Sequence, residues 1–173
     1  MKLALTLAAV AVLSACHSMR PADPSATADL QPTKGNNTSG TVTFTQVGDH
    51  KVHVTGDVRG LKPNQEHGFH IHEAGDCSSG DGMSTKGHFN PGTKPHAHFS
   101  SPNRHAGDLP ALKADGAGNA KIDATLDLIT VDQGPTSVVG RGLIVHVNPD
   151  DYKTQPTGNA GARVACAIIN RKG

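Results

Sequence analysis

A chain of 173 residues is long enough for one ordinary domain and too short for two comfortable ones. With no Trp and 3% aromatic residues its core must be small and aliphatic, and with 20 Gly and 11 Pro it must turn often, which suits an all-β fold better than a helical one. A net charge of +1 provides no bulk attraction to nucleic acid or to a membrane surface, and leaves eleven histidines as the outlier of the composition.

The chain opens on "MKLALTLAAVAVLSAC". A lysine, an apolar run and small residues before Cys16 predict a secretory signal peptide over residues 1–15, too short to span a bilayer as a mature helix. "LSAC" resembles a bacterial lipobox, which would make Cys16 the lipidated first residue of the mature chain; ordinary cleavage with a free Cys16 is the alternative. Residues 16–38 are rich in Pro, Ser, Thr and Asn without an apolar period, and predict a flexible tether. The domain is then expected over 39–173. Within it "TVTFTQV" (41–47), "KVHVTGDV" (51–58), "HGFHIHE" (67–73), "NAKIDATLDLITV" (119–131), "GLIVHV" (142–147) and "ARVACAIIN" (162–170) alternate or are β-branched, and none carries a capped 3.6-residue period. The prediction is a set of antiparallel strands joined by two long loops, 74–118 and 148–161, of a length that is usually either functional or disordered.

Setting Cys16 aside leaves Cys77 and Cys166, and an exported chain is expected to pair them rather than bury two thiols. The histidines cluster. In a strand, residues two apart share a face, so His70 and His72 stand side by side with Phe69 and Ile71 turned to the core. Two such rings suit a metal ion, and equally a surface pair; His67 falls on the other face. Downstream, His88, His96, His105 and Asp108 have the spacing H-x7-H-x8-H-x2-D, three imidazoles and a carboxylate that suit a tetrahedral zinc site. A solvated histidine-rich loop fits the same spacing. His146 lies in an apolar strand, where a satisfied core histidine is the plain reading.

Taken together, "GFHIHE", "GHFNP", "RHAGDLP", "GRGLIVHVNPDD" and "GNAGARVACAII" resemble the successive signatures of the copper/zinc superoxide dismutases, in that family's order and over most of residues 40–170. The resemblance implies an eight-stranded antiparallel Greek-key β-barrel or sandwich with two long functional loops. It implies one copper per chain on His70, His72, His88 and His146, and one zinc on His88, His96, His105 and Asp108, with His88 as a bridge offering one ring nitrogen to each ion. Asp150 matches a carboxylate that hydrogen-bonds one histidine of each set. Arg163 matches the arginine beside the copper, and Cys77 and Cys166 match the family's disulfide. The expected activity is disproportionation of superoxide to oxygen and hydrogen peroxide. His88 would act in proton delivery and Arg163 would receive the anion.

That reading places the enzyme in the periplasm or cell envelope of a bacterium, held to the membrane only through the lipid on Cys16 and protecting against superoxide from outside. No nucleic acid is expected as a partner. The family's dimer interface differs between bacterial and eukaryotic members, so a homodimer is left open. The chain departs from the eukaryotic members in a shortened 148–161 loop, where Pro156 replaces a lysine; Lys153, Lys86 or Lys94 are the candidates to replace its charge. Two other readings compete: a copper or zinc carrier on the same scaffold, and a zinc hydrolase. The hydrolase is disfavoured because His72-Glu73 has no second histidine four positions after His72.

Overall fold

A computed structural model describes residues 23–173. The expected signal peptide over 1–15 and the lipidation expected at Cys16 fall outside the described residues. Ten strands follow in chain order: β1 (Ser25–Pro32), β2 (Ser39–Gly48), β3 (Lys51–Arg59), β4 (Glu66–His67), β5 (Phe69–His72), β6 (Leu112–Lys113), β7 (Ala120–Leu126), β8 (Gly142–His146), β9 (Arg163–Ile168) and β10 (Asn170–Arg171). Eight of them form one curled sheet in the order β5-β8-β9-β1-β2-β3-β7, with β10 beside β1, while β4 and β6 form a small ribbon. The pairing of the named strands is antiparallel throughout. The all-β antiparallel fold expected from the sequence is the one found, and its sole helical element among the described residues is a 3-10 turn at Met83–Thr85.

The tether prediction is corrected over residues 25–32. β1 occupies them, at the middle of the sheet, with Ala26, Ala28 and Leu30 fully buried and Asp29 and Gln31 turned out. The alternation was present in "ATADLQ", but two of its three inward residues are alanines, which carry little hydrophobic signal. Leu30 alone contributes roughly 1.5–3 kcal/mol by burial. Without β1, the partner edges of β2 and β9 would both be open to unwanted pairing. The domain therefore begins before residue 39.

Two other strand limits differ from expectation. The 119–131 run stops at Leu126, where Asp127 turns out to take the Arg104 guanidinium at 2.7 Å. The alternation changes phase there, so that Ile129 and Val131, rather than Leu128, are fully buried. The 67–73 run breaks at Gly68, between β4 and β5, and the position requires glycine, since a Cβ there would stand 2.7 Å from the Ala160 side chain and 3.1 Å from the His70 ring.

The core is aliphatic, as composition demanded: Val42, Phe44, Val54, Leu112, Leu143 and Val145 fill it together with the inward residues of β1 and β5. β5 ends the sheet, yet its outer edge is paired. Ile71 donates to the Gly107 carbonyl at 2.9 Å and Phe89 donates to the Ile71 carbonyl at 2.8 Å, while Glu73 donates to Gly87 at 2.9 Å. These bonds set His72 opposite His88 and His70 opposite Asp108. The loop rich in Gly, Pro and His thus lies along a strand that itself carries two histidines.

Candidate metal centre

Two clusters of ligand-type atoms result. His70, His72, His88 and His146 form one; His88, His96, His105 and Asp108 form the other; within each, the ligand atoms lie within 4.8 Å of one another. No member of either set is more than 7% exposed. All seven residues named from the sequence are thereby brought together, with His88 common to both sets, while His50, His53 and His98 join neither cluster. His67, on the other side of Gly68, is buried and donates through Nδ1 to the His146 carbonyl at 2.8 Å.

The first set is defined by which nitrogens are free. His72 donates through Nδ1 to the Lys86 carbonyl at 2.9 Å, His146 through Nδ1 to the Gly161 carbonyl at 3.0 Å, and His70 through Nε2 to Asp150 Oδ2 at 2.7 Å. A carbonyl or carboxylate accepts only, so each bond fixes the tautomer and leaves a lone pair on the other nitrogen. Those other nitrogens, His70 Nδ1, His72 Nε2 and His146 Nε2, are buried without a partner, as is His88 Nε2. Four orphaned lone-pair donors in one place cost free energy unless something accepts them. A soft or borderline cation meets that need, and imidazole suits copper in either oxidation state. Protons do not meet it: burial, followed by the neighbouring rings His88 for His72 and His70 for His146, holds both pKa values well below the usual 6.5. Burial and His70 lower His88 to about 3.

The second set is built on a carboxylate. Asp108 Oδ1 lies 3.0 Å from His88 Nδ1, 2.9 Å from His96 Nδ1 and 3.5 Å from His105 Nδ1, and His105 Nδ1 is 3.4 Å from His88 Nδ1. Ligands about 2.0–2.1 Å from a tetrahedral zinc stand about 3.3 Å from one another, so the spacing fits that ion. Charge agrees. Asp108 and Asp150 are buried, and although burial raises a carboxyl, their histidine donors outweigh it and keep both below the usual range. Facing them, His96 is lowered by burial but raised more by its bonds to Asp108 and Asp150, to about 9. Two buried carboxylates against one cationic ring leave the set short of positive charge, which a divalent ion supplies.

Asp150 ties the sets together, accepting from His70 through Oδ2 and from His96 through Oδ1 at 2.9 Å. Gly158 makes room for it. Its φ is +68°, and a Cβ would fall on the Asp150 carboxylate and 2.6 Å from His96 Nε2. Gly158→Ala is expected to cost more than about 2 kcal/mol, of which about 1–2 comes from the left-handed backbone alone, and to lower zinc content; a thermal melt with metal analysis checks both.

Arg163 begins β9, and its guanidinium is held on three sides. Nη1 donates to the Gly82 carbonyl at 2.6 Å and to Thr85 Oγ1 at 2.8 Å, and Nη2 donates to the Lys86 carbonyl at 2.6 Å. The Lys86 carbonyl therefore accepts from both Arg163 and His72. Lys86 reaches this position with φ +65° and ψ −144°, a backbone that non-glycine residues seldom adopt and that sequence did not signal. The disulfide Cys77–Cys166 fastens the same loop to β9, three residues from Arg163. A surface concavity of about 980 Å³, bordered by Asp29, Asp57, Arg59 and Lys121, has no histidine in its lining and lies on other elements.

An antiparallel curled sheet whose loops gather an all-imidazole cluster and an imidazole–carboxylate cluster around one shared ring is a β scaffold able to hold two metal ions side by side. The chain belongs to the copper/zinc superoxide dismutase family, whose sequence model matches residues 38–169. It is also similar to a solved structure, "Crystal Structure Analysis of the clock protein EA4", at 43% identity and TM-score 0.78, the match covering 89% of this chain and 98% of that one.

Proposed function

We propose that the protein disproportionates superoxide, 2 O₂⁻ + 2 H⁺ → O₂ + H₂O₂, with copper held by His70, His72, His88 and His146 and zinc by His88, His96, His105 and Asp108. The observation that carries this reading is the shared ring: His88 turns Nε2, buried and unpartnered, to three other imidazoles, and Nδ1 to Asp108. When bound, copper supplies the one-electron exchange between two oxidation states and zinc a fixed positive charge. In the metal-loaded protein, where Nδ1 would be taken by zinc, His88 Nε2 would be the atom to take up a proton and release it toward the anion, a role that the metal-free ring, lowered to about 3, does not fill. Its Nδ1 stays with Asp108 and His105 in either condition, so the ring need not rotate. Asp150, with the Lys86 and Gly161 carbonyls, keeps His70, His72 and His146 in the tautomers that present lone pairs. Arg163 offers an anion a guanidinium fixed by three acceptors and charged at any working pH. Of the three lysines able to add charge, Lys86 is the one whose backbone touches Arg163.

The reading extends to location. A signal peptide over 1–15 and lipidation at Cys16 would deliver the domain to the periplasmic cell envelope, and a disulfide suits that oxidising compartment. A second reading is favoured by the similarity to a clock protein: the scaffold holds metals but serves timing or signalling without turnover. Metal analysis with a superoxide decay assay separates the two. One copper and one zinc per chain with fast decay is expected, and Arg163→Leu is expected to slow decay by roughly tenfold with unchanged metal content. Copper-loaded protein no faster than buffer would overturn the enzymatic reading.

A further inference from the structure

The members of the zinc-type set are not all anchored in the same way. His88 and Asp108 sit opposite β5 residues in backbone bridges, and the His105 backbone N–H donates to Asp108 Oδ2 at 3.0 Å. His96 follows Pro91 and Pro95 in a stretch where no strand takes its backbone groups. Buried or half-buried backbone groups need partners. Both of those partners come from one side chain in the other long loop. The His96 N–H donates to Gln155 Oε1 at 2.8 Å, and Gln155 Nε2 donates back to the His96 carbonyl at 2.8 Å, and also to its own loop at the Lys153 carbonyl, 3.3 Å away. A primary amide bonded to both backbone groups of one residue reproduces a strand partner. It fixes the position of the backbone as well as its direction, and only one orientation of the amide satisfies both bonds.

We infer that Gln155 is a positioning residue for the zinc set, holding the His96 backbone so that metal retention depends on the 148–161 loop. The inference rests on the zinc reading above and goes beyond it. The loop then holds His96 at two points, Asp150 on the ring and Gln155 on the main chain. Asp151 stiffens the intervening turn, accepting from the Lys153 and Thr154 N–H groups at 2.9 and 2.8 Å, so that Gln155 presents its amide from a fixed base.

The test uses the full chain loaded with Zn(II), or with Co(II) at the same site for its visible bands. Gln155→Met keeps the length and removes both bonds; Gln155→Glu keeps the acceptor for the His96 N–H and loses the donor. Zinc release to a coloured chelator is expected to be about tenfold faster in Gln155→Met, the lower end for a partner of a metal ligand. It is expected to be intermediate in Gln155→Glu, with the Co(II) bands shifted in the same order. Release within twofold of wild type, or faster release with unaltered Co(II) bands, would overturn the inference. Should Gln155→Met fail to fold, Gln155→Glu decides by the same two measures. A wild-type chain that takes up no Co(II) would sink the zinc reading and this inference with it. Unaltered behaviour of the variants beside a wild type that does bind sinks the inference alone.

Discussion

His146→Ala is expected to abolish superoxide decay by the copper-loaded protein and to leave about one zinc per chain. The asymmetry follows from where its atoms go. Nε2 of His146 belongs to the all-imidazole set only, and Nδ1 binds a carbonyl of the 148–161 loop, so no atom of the residue enters the carboxylate set. Removal takes one of four lone pairs from copper and leaves the four zinc-side donors in place. A wider hole beside His70, whose ring centroid is 5.0 Å from that of His146, would also admit water. Metal content and decay rate, measured on the same preparation, check the claim. Retained activity, or loss of zinc equal to the loss of copper, would show that the two sets are not separable in this way. His88→Ala supplies the contrast, since it should deplete both.

Breaking the disulfide by Cys166→Ser is expected to lower the melting temperature by on the order of 10–20 °C. The bond joins residues 89 apart, and closing so long a loop restricts the unfolded chain by about 4–5 kcal/mol. Its second effect is local. Residues 82–86 supply the three acceptors of Arg163, and Cys77 fastens that stretch to β9. Without the disulfide the loop would keep its backbone bonds from Lys34 to Gly80, Ala74 to Thr85 and Glu73 to Gly87, but lose the covalent tie to β9 that steadies the acceptors of Arg163 and His72. Decay should therefore slow even well below the melting temperature. A reduced wild-type sample should match Cys166→Ser in both readouts; a shift under about 2 °C would mean that the folded loop needs no such fastening.

Sequence disclosed the chemistry more completely than the architecture. His70, His72, His88, His96, His105, Asp108 and the cysteine pair were legible as ligand and thiol types at fixed spacings, whereas the grouping of His146 with the first set, and the places of Asp150 and Arg163, came only from the resemblance to the superoxide dismutase signatures. The central strand was not. Ala26 and Ala28 bury perfectly yet weigh little in any hydrophobic pattern, and flanking prolines mimic a linker. The end of β7 was misplaced because Leu128 continues the alternation while Asp127 is drawn out by Arg104, a partner 23 residues away. Supporting contacts of the site were the least visible. The Lys86 carbonyl acts through an unusual backbone angle, and Gln155 acts from an exposed loop with no motif around it.

The outermost strand of the sheet has no neighbouring strand to shield it. Its free N–H and C=O row is occupied instead by the main chain at residues 87, 89 and 107, which is also the stretch bearing His88, His105 and Asp108. Cations gathering those side chains would therefore keep an adhesive margin covered. Chelation would do more than silence the chemistry: it would loosen the cover, and molecules stripped of their ions should self-associate edge to edge at concentrations where loaded ones stay dispersed.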